Sequence, residues 1–125
     1  LCVVMPATPE DAKGLLLTSI FGEDPVIFLE HRWLHNLTGE VPEGDHRIPL
    51  GRARLMRSGD DATVVSMSLM TIEAAHAADH LAAQGLSCDL IDLRSVRPID
   101  WPMIEASVRR TGRLLALDSG HEECP

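Results

Sequence analysis

At 125 residues and 45% hydrophobic content, the chain can bury one ordinary core but not two independent ones. Its formal charge of −8, from 11 basic and 19 acidic residues, offers no electrostatic footprint for phosphate backbones or anionic lipid, which argues against nucleic acid and membrane partners. No apolar run approaches the roughly 18 residues that cross a bilayer, no secretory leader pattern opens the chain, and Cys2, Cys88 and Cys124 lack the spacing of a disulfide framework, so a reducing compartment fits best.

The first element is a strand at Val3-Val4-Met5, stopped by Pro6. Thr8-Pro9-Glu10-Asp11 then supplies an N-cap, a proline for the first helical position and carboxylates at the positive end of the helix dipole. A helix of about three turns follows, with Ala12, Leu15, Leu16, Ser19 and Ile20 expected on one face, and it breaks between Gly22 and Pro25. Val26-Ile27-Phe28-Leu29 reads as a second strand, buried on both faces, which completes one βαβ unit. From Glu30 to Leu50 the texture turns to His, Asn, Gly, Pro and Glu, and this stretch is expected to connect two domains.

The second piece begins with the alternating Arg52-Ala53-Arg54-Leu55-Met56-Arg57, turns at Ser58-Gly59-Asp60-Asp61 and continues as Ala62 to Met67, a pattern that predicts a hairpin. An alanine-rich helix from about Met70 to Gln84 ends at Gly85. Leu86 to Leu93 forms the next strand, Asp100 caps a helix with Pro102 in its first turn, and Arg113 to Asp118 forms the last strand. The chain opens inside a strand at Leu1-Cys2-Val3-Val4-Met5 and closes on Glu122-Glu123-Cys124-Pro125 soon after another, so both ends are expected to be cut from something longer.

Several residues invite a chemical role and are outweighed by plainer ones. His76 and His80 lie four apart on a predicted helix, a metal-ligand spacing without a third ligand, and a solvated helix face is favoured. His121 and Cys124 resemble half of a zinc site whose other half does not appear. Cys88 reads as a packed core thiol, and Trp33 and Trp101 as core or docking residues. Glu30 and His31 stand at a strand end, where α/β proteins place ligands, yet a strand-end charge pair is favoured for Glu30. Arg94 and Arg97 could hold an anion in bidentate fashion, but Asp92 and Asp100 beside them suggest a structural role in fixing the strand-to-helix turn. No dinucleotide, Walker or nucleophile-elbow motif is present.

Four segments in register carry a family resemblance: Val4-Met5-Pro6-Ala7-Thr8-Pro9-Glu10-Asp11-Ala12-Lys13-Gly14-Leu15-Leu16, Asp24-Pro25-Val26-Ile27-Phe28-Leu29-Glu30-His31, Ile48-Pro49-Leu50-Gly51-Arg52-Ala53, and Asp92-Leu93-Arg94-Ser95-Val96-Arg97-Pro98-Ile99-Asp100 with Ser107 to Leu114. Over essentially its whole length the chain resembles the beta subunit of the thiamine diphosphate-dependent decarboxylating component of 2-oxoacid dehydrogenase complexes (pyruvate, branched-chain or acetoin), within the transketolase family. The resemblance implies an α/β fold in which residues 1–35 end a pyrimidine-binding domain, 36–50 are a linker and 51–125 begin a three-layer transketolase C-terminal domain, incomplete here.

It further implies an alpha subunit, a second beta subunit in a heterotetramer and a dihydrolipoyl acyltransferase core as partners, in the cytoplasm of a bacterium or the mitochondrial matrix. The parent assembly would decarboxylate a 2-oxoacid on thiamine diphosphate and pass the acyl group to lipoamide. The acid that activates the cofactor and the channel histidine belong to the half of the subunit not represented, so no catalytic or cofactor-binding residue is assigned and the chain alone is expected to be inactive. One metal site is implied, a potassium ion held mainly by backbone carbonyls at Ser19, Ile20, Gly22 and Asp24, where a helix C-terminus offers free acceptors. Gly22 departs from the acidic residue common in relatives. The competing reading is a non-catalytic interface or scaffold domain of a transketolase or deoxyxylulose phosphate synthase-like enzyme.

Overall fold

A computed structural model describes residues 1–120. The expected His121 and Cys124 half-site lies outside the described residues. The elements run β1 (Cys2–Val4), α1 (Pro9–Phe21), β2 (Val26–Phe28), a 3-10 turn (Arg32–Asn36), β3 (Arg54–Arg57), β4 (Ala62–Ser66), α2 (Leu69–Ala82), β5 (Cys88–Asp92), β6 (Ser95–Arg97), α3 (Trp101–Thr111) and β7 (Leu114–Ala116).

They form two sheets. The larger has the order β3-β5-β4-β7, with β4, β5 and β7 parallel and β3 antiparallel on the edge. Alternation along β4 and β5 decides its two cores. Val64, Cys88 and Leu90 face α2 through Ala74 and Ala78, while Val65, Ile91 and Leu93 face α3 through Ile104. All five residues of β5 are buried because helices cover both faces, which makes this piece a three-layer α/β/α unit. Alanines on α2 let that helix lie close to the sheet, and α3 stops at Gly112, whose φ of 72° suits the left-handed cap.

The predicted hairpin is absent. β3 and β4 flank β5 and do not pair, because the intervening loop crosses the start of β5: Gly59 N–H bonds to Asp89 Oδ1 (2.9 Å), Asp60 N–H to Ser87 Oγ (3.0 Å) and Asp61 N–H to the Ser87 carbonyl (2.9 Å). Gly59 is required at that crossing, since a Cβ there would stand 2.2 Å from the Cys88 nitrogen.

The smaller sheet has the order β2-β1-β6. β1 and β2 are parallel and joined by α1, as the βαβ reading expected. Its small core is Val4, Leu15 and Ile48, with Val26, Phe28 and Leu50 packed against it. Two expectations fail here. β2 is an edge strand with Ile27 turned outward (43% exposed), and the buried stripe of α1 is Asp11, Gly14 and Leu15, leaving Leu16 and Ile20 exposed. The connecting stretch supplies the missing apolar cover: Ile48 lies over Gly14, where a Cβ would meet it at 2.5 Å, and its N–H bonds to the Gly14 carbonyl (3.1 Å).

The third strand of this sheet comes from the second piece. β6 lies antiparallel to β1, pairing Ser95 with Val4 and Arg97 with Val3. The Asp92 to Asp100 phrase is thus more than a turn. It bends at Arg94 (φ 56°), delivers a strand to the neighbouring sheet, passes a cis Arg97–Pro98 bond and returns to cap α3.

Candidate functional site at the junction of the two sheets

Sequence segments far apart converge where β6 meets β1. Thr8 caps α1 by accepting from Asp11 N–H (3.2 Å), and its hydroxyl donates to Asp11 Oδ2 (2.7 Å), which leaves Asp11 Oδ1 for other partners. Asp11 is fully buried. Its Oδ1 meets the Arg94 guanidinium at 2.5 Å and the Arg54 guanidinium at 3.8 Å. The Arg94 contact is an ion pair off the hydrogen-bond direction, because Asp11 Oδ1 and Arg94 Nε both remain without a hydrogen-bond partner. Arg54 also bonds to Glu10 (3.1 Å), which His46 approaches at 3.3 Å.

Asp92 closes the cluster from the end of β5. Its Oδ1 accepts from the Thr71 hydroxyl and the Arg94 N–H, both at 3.2 Å, and Thr71 accepts in turn from Ser66 (3.2 Å). Burial, then the nearby Asp11 charge, push the Asp92 carboxyl up to about 6, against the lesser pull of Arg94 and Thr71. Arg94 serves the turn, as the sequence suggested, only through its backbone, whose N–H bonds to Asp92; its guanidinium makes no ion pair with Asp92 or Asp100. It reaches into the other unit, and Asp100 is occupied elsewhere, accepting from Met103 N–H (3.4 Å) and Ala53 N–H (3.1 Å). Gly51 completes the joint at φ 74°: its N–H bonds to Ser95 Oγ (2.9 Å), and a Cβ would stand 2.6 Å from Pro98 Cγ. Three of the four recognition segments are thereby one another's contact partners.

A second polar cluster lies beneath α3. Asp89 accepts from Ser107 Oγ (2.5 Å), Gly59 N–H and Arg110, while Thr63 shares hydrogen bonds with Ser107 (2.6 Å) and Thr111 (2.7 Å). Burial acts to raise the Asp89 carboxyl, but those bonds prevail and leave it below the usual carboxylate value. Its groups satisfy one another, so it braces the helix and presents no free reactive atom.

The strand ends beyond β1 and β2 border a small apolar cavity of about 170 Å³ lined by Pro6, Ala7, Thr8, Pro9, Glu30, His31 and His35, among others. Glu30 pairs with His35 (3.7 Å), which agrees with the plainer reading of Glu30, and His31 Nδ1 accepts from Trp33 N–H (3.4 Å). This volume is below the roughly 300 Å³ at which ligand pockets begin. Trp33 and Trp101 are 75% and 58% exposed, so neither is a core residue. Cys88 is buried with a free thiol, pushed up by burial. His76 and His80 are exposed on α2, and among the described residues no group of three or more His, Cys, Asp or Glu could hold a metal ion. The four positions of the expected potassium loop lie where α1 ends: Ser19 donates its hydroxyl to the Leu15 carbonyl (2.7 Å), Gly22 is the extended C-cap, and no basic residue occupies the last turn. No helix among the described residues is long and apolar enough to cross a membrane.

The architecture defines a class, a three-layer α/β unit that lends one strand to the sheet of a preceding βαβ unit. Residues 51–124 match the family model for the transketolase C-terminal domain, and the chain belongs to that family. It is 45% identical over 122 residues to the Cupriavidus necator acetoin:2,6-dichlorophenolindophenol oxidoreductase subunit beta, covering 98% of this chain and 36% of the relative. It is 46% identical to the Rhizobium meliloti pyruvate dehydrogenase E1 component subunit beta (97% and 26%) and 42% identical to the Bacillus subtilis 2-oxoisovalerate dehydrogenase subunit beta (97% and 37%). Among solved structures, a split-gene transketolase described as an inactive beta4 tetramer superimposes with TM-score 0.78 at 30% identity, covering 92% of this chain and 37% of that one. A Pichia stipitis transketolase variant shares the fold alone, at TM-score 0.58 and 16% identity, with 94% and 18% covered. The chain thus spans about a quarter to two fifths of the length of these beta subunits.

Proposed function

We propose that this chain is part of the beta subunit of the thiamine diphosphate-dependent decarboxylating component of a 2-oxoacid dehydrogenase complex, with pyruvate the first choice of substrate. The observation that carries the reading is the likeness, over 97% or more of the chain, to beta subunits named for pyruvate, 2-oxoisovalerate and acetoin enzymes. The parent assembly would transfer the acyl group to lipoamide, in the cytoplasm if the source is bacterial. Residues 1–35 would close the pyrimidine-binding domain, 36–50 link it and 51–125 open the C-terminal domain.

The chain's own residues contribute framework to that chemistry. The cavity beside Glu30 does not fit thiamine diphosphate: it is small, and its carboxylate is paired with His35. No cofactor contact is therefore assigned, and the chain by itself is taken to be inactive. A potassium ion at Ser19, Ile20, Gly22 and Asp24 fits better. Among the described residues, no loop or turn N–H donates to the Ser19, Ile20 or Gly22 carbonyls, which leaves them free for a hard cation. Exposed Leu16, Ile20, Phe21, Ile27 and Leu29 on the first unit, and Leu114 and Leu115 on β7, favour burial against the rest of such an assembly: alpha subunit, second beta subunit and acyltransferase core.

The second reading, a non-catalytic interface domain, is favoured by the inactive tetramer among the structural neighbours. A chimaera separates the two. Residues 1–125 replace the matching segment of the Bacillus subtilis pyruvate dehydrogenase beta subunit, 43% identical over 122 residues, and are co-expressed with its alpha subunit. The proposal expects an assembled heterotetramer with pyruvate-dependent lipoamide acylation within about tenfold of the parent, a change of ~1.4 kcal/mol in barrier. An assembled but inactive chimaera would favour the interface reading.

A further inference from the structure

Where the two sheets join, two buried carboxyl groups feel the charge of one guanidinium, which is in ion-pair contact with Asp11 and not with Asp92. Asp11 and Asp92 are both fully buried and come from different units, and the Arg94 side chain is only 12% exposed. Arg94 is committed to Asp11 at 2.5 Å. Asp92 receives two neutral hydrogen bonds, both on Oδ1, and its Oδ2 is buried without a partner. An unpaired, unsolvated carboxylate oxygen is an unfavourable state, whereas the same atom bearing a proton is tolerated.

The surrounding charges do not relieve it. α1 presents Asp11 and Glu10, β3 presents Arg54, which lies 3.1 Å from Glu10, the connecting stretch presents His46, 3.3 Å from Glu10, and the bend after β5 presents Arg94. From α2 and β4 come only the neutral Thr71 and Ser66. Arg54 and His46 both lie against Glu10, so with Asp92 ionised the two fully buried carboxylates are left with Arg94 as their nearest cation. One proton restores balance.

We propose that Asp11, Arg94 and Asp92 form a proton-operated latch between the two units: proton uptake by Asp92 leaves Arg94 undivided on Asp11 and tightens the β1–β6 seam, and proton loss loosens it. The seam is mechanically linked to the cluster because the Arg94 carbonyl accepts from Met5 N–H (2.9 Å) and Arg94 immediately precedes β6. A carboxyl held near 6 in the folded chain places the change just below neutrality, and the stabilisation is lost as pH rises through that value.

The test is amide hydrogen exchange on the 125-residue chain at about pH 5 and about pH 8, corrected for intrinsic exchange, with Leu90 and Ile91 as internal references in the larger sheet. Met5 protection relative to those amides is expected to be about tenfold greater at the lower pH in the wild type and equal at both in Asp92→Asn, which keeps the acceptor for Thr71 and Arg94. Equal relative protection of Met5 at both pH values in the wild type would overturn the latch. If Asp92→Asn fails to fold, carbon-detected titration of the wild-type Asp92 carboxyl takes its place: a midpoint near 6 supports the proposal, and one near the ordinary value of about 4 refutes it.

Discussion

Asp89 and Asp92 sit three residues apart on one buried strand, yet their carboxyls couple to folding with opposite sign. Asp92 is raised to about 6, so its contribution is fully present below the ordinary carboxylate value and disappears as pH climbs through 6. Asp89 is lowered, so its contribution is present above the ordinary value and is lost as pH falls through the depressed one. The combined contribution of the two groups should therefore be greatest near pH 4 and fall between about 4 and 6, a decline that urea titrations read. Asp92→Asn should gain ~1–3 kcal/mol at about pH 8 and flatten the upper limb of that profile. Ser107→Ala should cost ~1–3 kcal/mol by stripping a donor from buried Asp89 and a partner from Thr63, with the loss read as a lower urea midpoint. Neither role could be read from the sequence. Asp92 is defined by Asp11 and Thr71, and Asp89 by Gly59 and Arg110, partners that only the tertiary fold brings near.

Elements with strong local signals matched the sequence reading. Thr8-Pro9-Glu10-Asp11 and Asp100 with Pro102 do cap helices, and Gly85 lies in a left-handed turn close behind α2. The failures share a cause, which is that the deciding partner is remote. Alternation from Arg52 to Arg57 signalled a strand correctly, but whether it pairs with β4 or β5 depends on the loop at Gly59 crossing β5. Ser95-Val96-Arg97 is too short to carry a period and becomes a strand only because β1, about ninety residues earlier, offers an edge. The same crossing makes a sharp prediction. Gly59→Ala places a methyl against the Cys88 backbone, which cannot retreat as a side chain could, and should destabilise by at least ~2 kcal/mol, with β3 the first strand to lose exchange protection.

At the scale of the whole molecule, the recognition segments and the joint between the units are largely the same residues. Pro6 to Leu16 supplies Asp11 and Gly14, Ile48 to Ala53 supplies the lid over Gly14 and the Gly51 contact, and Asp92 to Asp100 supplies Arg94, Ser95 and Pro98. This accounts for the family being readable from these segments: their residues fasten one unit to the other. It also accounts for Arg94 resembling a ligand-binding residue, since a buried guanidinium at a strand end looks the same in sequence whether its anion is a substrate or the aspartate of a neighbouring unit. The central claim, that Arg94 and Asp11 fasten one unit to the other, is tested most directly by a double-mutant cycle on urea stability using Asp11→Asn, Arg94→Gln and the pair. A coupling of ~2–4 kcal/mol is predicted for this buried contact, and a coupling below ~0.5 kcal/mol would contradict it.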